Sequence, residues 1–177
     1  MPKQNNYFEI VGRLTADLEK NGFSPTLVGG MALVVLGSQR VTYGFDFLVS
    51  LPNLLADTVI EIFYKQGFEL VSKLNEQREV LQTINNGKVA ANRFKIDSPA
   101  IVYFYNHKRE LKFDLLLDFP LSAKEVASRA FKIKIRSHPF RIASREDLIR
   151  MKEIAYADRH LASDAQDLEF LRKKMTK

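Results

Sequence analysis

Residues 26 to 50, "TLVGGMALVVLGSQRVTYGFDFLVS", constrain this chain more than any other stretch. "TLVGG" is too short for a helix and reads as a buried strand. "MALVVLG", ending at Gly37, suits a short helix that starts on the glycine pair, and residues 44 to 50 read as a second buried strand. That second strand carries one carboxylate, Asp46, in an otherwise apolar setting, with Gly44 two residues before it. A carboxylate inside an apolar strand is disfavoured unless something receives its charge. Asp46 is therefore either a ligand-type group or a strand-end carboxylate that caps the loop or pairs with Arg40.

Around this unit the periodicity is legible. Tyr7, Ile10, Val11, Leu14 and Leu18 fall on one helical face that meets the stop Asn21-Gly22. Pro52 suits a first helical turn, and Leu54, Leu55, Val59 and Phe63 form an apolar stripe closed by Gly67. Residues 73 to 83 are polar and ambiguous, and "INNGK" is a turn signal. "VYFY" and "LKFDLLLDF", separated by the turn-like "NHKRE", extend the chain as a meander of strands. "FKIKIR" and "FRIAS" pair across a turn at Ser137-His138-Pro139. Ser144 is an N-cap with Glu146 and Asp147 in the first turn. Two helices follow over about residues 145 to 157 and 160 to 174, packing through Leu148, Met151, Ile154 and Ala155, then Leu161, Leu168 and Leu171.

Composition narrows the chemistry. A length of 177 residues, with 46% apolar, 27% charged and 11% aromatic residues, fits a single domain with one core. No repeat or linker divides it; a core over about residues 7 to 120 is expected to continue into strands and helices over 121 to 174. No run is long enough for a membrane span and the N-terminus lacks a signal-peptide core, so the expected location is the cytoplasm. The absence of cysteine excludes disulfides, thiolate metal sites and cysteine nucleophiles. His107, His138 and His160 show no ligand-like spacing and read as surface or structural residues. The formal charge of +6 favours encounter with polyanions.

In "LKFDLLLD", Leu111, Phe113, Leu115 and Leu117 point one way, whereas Lys112, Asp114, Leu116 and Asp118 point the other. Carboxylates that project from one face of neighbouring strands can hold divalent ions for phosphoryl or nucleotidyl transfer. Asp46 and Asp114 supply two; Gly44, at i−2 from Asp46, supplies none.

The run Gly29-Gly30, Gly37-Ser38, Arg40-Val41-Thr42-Tyr43-Gly44-Phe45-Asp46 resembles the first motif of the nucleotidyltransferase superfamily, in particular its AbiEii-like toxin and toxin-related branch. Gly44 stands where that motif has its first metal-binding aspartate. "DLIRMKEIAYADRHLASDAQDLEFL" is similar to the branch's C-terminal signature, with Lys152, Arg159, Asp164 and Asp167 at matching positions and Ser163 where a basic residue is usual. Asp114 resembles the third carboxylate.

The resemblance implies an α/β (α+β) fold: a mixed sheet flanked by helices, with a C-terminal helical pair. It implies a nucleoside triphosphate held by Gly29, Gly30, Ser38, Arg40 and Thr42. Mg²⁺ or Mn²⁺ is expected on Asp46 and Asp114, weakly or at a single site, and the catalytic set is Asp46, Asp114, Lys152 and Asp164. Nucleoside monophosphate would pass to RNA (tRNA included), protein or a small-molecule hydroxyl, and an antitoxin-like protein is the implied partner. With Gly44 deleting one ligand, the expectation is a nucleotide-binding protein with a damaged catalytic centre. The alternatives are an active transferase and a basic RNA-binding module without a nucleotide site.

Plainer readings stand beside these. Arg40 and Thr42 equally suit ordering of the turn, Lys152 suits a solvated helix face, and Asp164 and Asp167 suit ion pairs with the preceding helix. Asp118 is a conceivable substitute ligand set too far along the strand.

Overall fold

The computed structural model describes residues 2–42, 44–50 and 55–175. Helix α1 (Pro2–Lys20) buries Tyr7, Ile10, Val11, Leu14 and Leu18 along one face, as its period predicts. Strand β1 (Thr26–Val28) runs directly into α2 (Gly29–Val35), and β2 (Phe45–Val49) returns antiparallel to β1. Helix α3 (Ala56–Lys65) follows, with Val59 and Phe63 buried; Pro52 and Leu54 lie outside the described residues.

The ambiguous stretch forms a hairpin of β3 (Glu69–Leu74) and β4 (Val80–Ile84). The turn read at "INNGK" is instead a helix start: Asn86 accepts a hydrogen bond from the Val89 amide and opens α4 (Gly87–Asp97). Asn serves turns and N-caps by the same side-chain-to-backbone bond, so residue type alone does not separate them. Strands β5 (Ile101–Asn106) and β6 (Leu111–Leu117) pair antiparallel as expected.

Ser122 caps a short α5 (Ala123–Arg129), which carries too few apolar positions to be read as a helix beforehand. The hairpin of β7 (Phe131–Ile135) and β8 (His138–Ile142) turns through Arg136 and Ser137, so His138 and Pro139 belong to the strand. Ser144 caps α6 (Arg145–Arg159), and α7 (Ala162–Met175) packs against it. Leu148, Leu168 and Leu171 are buried as predicted. Ile154 and Leu161 are largely exposed, because Ile154 faces a cavity and Leu161 precedes α7.

All eight strands join one mixed sheet in the order β4-β3-β5-β6-β2-β1-β8-β7, with β2–β6 and β1–β8 parallel. The expected mixed sheet flanked by helices is thus present. One face of β2 and β6 supplies Phe45, Phe47, Phe113 and Leu115 to the core, where Phe47 stacks on Phe113 at 4.9 Å and Phe63 on Phe104 at 3.8 Å. The first pair helps hold β2 and β6 in register, and the second ties α3 to the sheet. The opposite face carries the polar residues.

Candidate functional site

Because β2 and β6 are adjacent, parallel and in register, Asp46 stands directly beside Asp114, and alternation turns both away from the aromatic core. Their carboxyl groups share a hydrogen bond. Burial, followed by the charge of Asp46, raises Asp114 from the usual carboxylate range to about 8; Lys112 pulls the other way. Burial also raises Asp46, partly offset by the bond to Asp114. No donor from another residue reaches the buried Asp114 Oδ1, so the contact between the two acids requires a retained proton or an added cation.

Gly29 is fitted to this pair in two ways. Its φ of +68° is left-handed, and a Cβ there would collide with Asp46 Oδ2 while standing 3.1 Å from Asp46 Cγ. The carboxylate of Asp46 therefore lies against the bare backbone where β1 becomes α2. Gly44 has no such constraint. A Cβ at Gly44 would meet only Lys112 O at 3.5 Å and Lys112 Cβ at 3.9 Å, ordinary contact distances.

Asp46 and Gly29 line a cavity of about 390 Å³ between the polar sheet face and α6. Leu116, Ile101, Phe119, Met151 and Ile154 form its apolar walls; Arg78, Lys152 and Arg159 add positive charge. The cavity is large enough for a small organic ligand and has the usual composition, apolar walls with few polar groups.

The other expected residues divide into two groups. Gly30, Arg40 and Thr42 cluster: a Cβ at Gly30 would stand 3.1 Å from Arg40 Cζ and 3.2 Å from Thr42 Oγ1. Ser38 Oγ accepts a hydrogen bond from the Arg40 amide, and both residues line a neighbouring recess of about 470 Å³ with Asp167. Gly30 is thus covered by side chains, whereas Gly29 borders the cavity of Asp46.

Lys152 points into a ladder of opposite charges. Its Nζ lies 2.8 Å from Asp167 and 3.4 Å from Asp164; Arg159 Nη2 donates to both oxygens of Asp164 at 2.8 Å; Arg40 donates to Asp167. Both acids are buried, their side chains 1% and 5% exposed. Asp164 is therefore engaged with cations on α6 and does not join Asp46 and Asp114. Asp118 also stands apart, its Oδ1 accepting from the Ala123 amide.

The sequence reading passed over three neighbours of the acid pair. Lys112 was visible as a residue on the face of Asp114, but alternation gives a face and no partner. Tyr103 becomes adjacent only through the β5–β6 register, opposite Asp114. Arg78 reaches the cavity from the β3–β4 turn, at a φ of 64°, and "NEQRE" carries no mark of that.

Among the described residues no three histidine or acidic side chains cluster as a metal cage. The donor set nevertheless fits one hard cation: two carboxylates, one with an unpartnered buried oxygen, beside a cavity. Mg²⁺ commonly takes only one or two carboxylates and completes its shell with waters and substrate phosphates. Among the described residues a second ion has no comparable ligands.

This architecture is the nucleotidyltransferase fold. An antigenic nucleotidyltransferase-like protein of Paracoccidioides brasiliensis superposes with a TM-score of 0.57 at 14% identity, over 92% of this chain and 73% of that one. ANT(2″)-Ia, solved with adenylyl-2″-tobramycin, gives 0.59 at 12% identity over 96% and 90%. The lincosamide antibiotic adenylyltransferase LnuA, solved with lincomycin, gives 0.55 at 10% identity over 93% and 95%. In sequence, no family model matches the chain and no curated protein is recognisably similar. Among the described residues no helix is long and apolar enough to cross a membrane.

Proposed function

We propose that this chain binds a nucleoside triphosphate in the cavity beside Asp46 and that its transfer chemistry is impaired, in keeping with the AbiEii-like resemblance. One observation carries the reading: two in-register carboxyls stand on adjacent parallel strands, one of them lining a cavity that also holds Arg78, Lys152 and Arg159, and the position two residues before Asp46 accommodates a Cβ but holds Gly44.

Asp46 and Asp114 would hold a single Mg²⁺ or Mn²⁺ jointly with phosphate oxygens; bound there, the ion would neutralise and polarise the phosphates. Arg78 and Arg159 supply positive charge at the cavity wall. Gly29 keeps Asp46 in place and leaves backbone open to the cavity. Lys152, held by Asp164 and Asp167, presents its ammonium at a fixed depth rather than as a free solvated chain.

Calorimetric titration with each nucleoside triphosphate plus Mg²⁺ or Mn²⁺ tests the binding; silence with all of them refutes it. The variant Gly44→Asp is expected to bind the ion more tightly and to gain labelled nucleotide transfer that the parent lacks.

A second reading, an active transferase acting on a small-molecule hydroxyl, is favoured by the apolar walls, which suit an organic acceptor better than an RNA backbone. The tobramycin adduct and lincomycin in the two antibiotic-modifying neighbours belong to the same chemical class. Transfer by the unaltered chain to a hydroxyl-rich compound, and not to bulk tRNA, would establish it. Transfer to tRNA would instead favour RNA as acceptor, in line with the positive net charge.

A further inference from the structure

Lys112 sits two residues before Asp114 on β6, and alternation sends both side chains to the same face. Its Nζ is 3.5 Å from Asp114 Oδ2, 3.5 Å from the Arg78 carbonyl oxygen and 4.7 Å from the centroid of the Tyr103 ring. A carboxylate, a carbonyl and an aromatic face are three kinds of cation ligand. A lysine usually keeps its ammonium in water, and ordering its chain costs rotamer entropy. Here the side chain is only 23% exposed. The three contacts hold it inward.

Position 44 bears on the same place. The side-chain direction at Gly44 points at the backbone and Cβ of Lys112, so whatever stands at 44 lies beside the root of this lysine. An acid at 44 would add negative charge beside it; glycine adds none. Two carboxylates then face one tethered ammonium, which leaves at most one negative charge for an incoming ion. Without the ammonium, one more would remain.

We propose that Lys112 is the resident cation of the Asp46–Asp114 pair and competes with a divalent ion for it. This inference rests on reading the pair as an ion site. It adds that weak metal binding arises from a positive charge that is present as well as from the acid missing at 44. A divalent ion enters fully only when the ammonium swings away from Asp114, so the lysine sets the threshold for loading the pocket.

The test is Mn²⁺ binding without nucleotide, read from the paramagnetic resonance signal of free Mn²⁺. The parent chain is compared with Lys112→Met, Lys112→Gln, Lys112→Arg and the exposed control Lys108→Met. Removing one positive charge a few ångströms from a divalent ion is expected to tighten binding roughly tenfold, even with water-like screening. Lys112→Met and Lys112→Gln should both show this gain, and either suffices if the other does not fold. Lys112→Arg and Lys108→Met should match the parent. Equal or weaker affinity in the neutral variants, or no Mn²⁺ bound by the parent and the neutral variants alike, overturns the proposal. Nucleotide calorimetry on the parent fails or succeeds independently, so the loss of one reading is not mistaken for the loss of the other.

Discussion

Two clusters of buried acids lie within this molecule and are built in opposite ways. Between α6 and α7, Asp164 and Asp167 are matched by Arg159, Lys152 and Arg40, and each carboxylate has close cationic partners. Between β2 and β6, Asp46 and Asp114 face each other, with Lys112 as the near cation and one oxygen without a donor. The first arrangement compensates the cost of burial by pairing and joins elements together. The second leaves charge uncompensated, which folding alone does not reward. Burial of an acid therefore says little about its role; the ledger of its partners says more.

The sharpest way to break this contrast is pH. Asp114 is raised to about 8 in the folded protein, far above its ordinary carboxylate value. Its retained proton stabilises the fold fully below the unfolded value and is lost as pH rises through the folded one. Between about pH 4 and 8 stability should fall, with a limiting slope of about 1.4 kcal/mol per pH unit for one proton. Asp114→Asn should remove that share of the slope and be the more stable form at pH 8. Urea unfolding across the range measures both; identical slopes would show that no proton is retained.

The helical cluster should respond in the other direction. Asp164→Ala leaves Arg159, one third exposed, without its carboxylate while Lys152 keeps Asp167, and should cost about 2–3 kcal/mol. Chemical denaturation measures it, and a loss below 1 kcal/mol, the scale of a surface pair, would make this cluster no more than a surface ion pair.

The smallest effect separates two glycines. Gly29→Ala forces a methyl onto Asp46 at a left-handed φ and should cost about 1–3 kcal/mol while weakening any ion bound to the pair. Gly44→Ala meets only ordinary contacts and should change stability by less than about 0.5 kcal/mol. Thermal unfolding of the two variants side by side decides this.

What was legible in the sequence follows the range of the interactions. The strands holding Asp46 and Asp114, and the helix of Tyr7 to Leu18, announce themselves by local alternation or period. Helix α4 hides because two of its three buried positions, Ala90 and Ala91, are alanines and its cap is an Asn-Gly pair shared with turns. The acid pair was legible as two residues on polar strand faces. Its register was not, since β2 and β6 meet only after α3, α4 and three strands have intervened. Lys112, Tyr103 and Arg78 join the site through that same nonlocal pairing. The bond from Arg40 to Asp167 spans 127 positions and has no local signature either.

That last bond ties events at opposite ends of the chain. Arg40 belongs to the segment leading into β2, while Asp167 rides on α7. Prying α7 loose would release Arg40 and strip Lys152 of its anchors in one motion. The last helix thus reaches the cavity at second hand, by fixing where the ammonium of Lys152 stands in its wall.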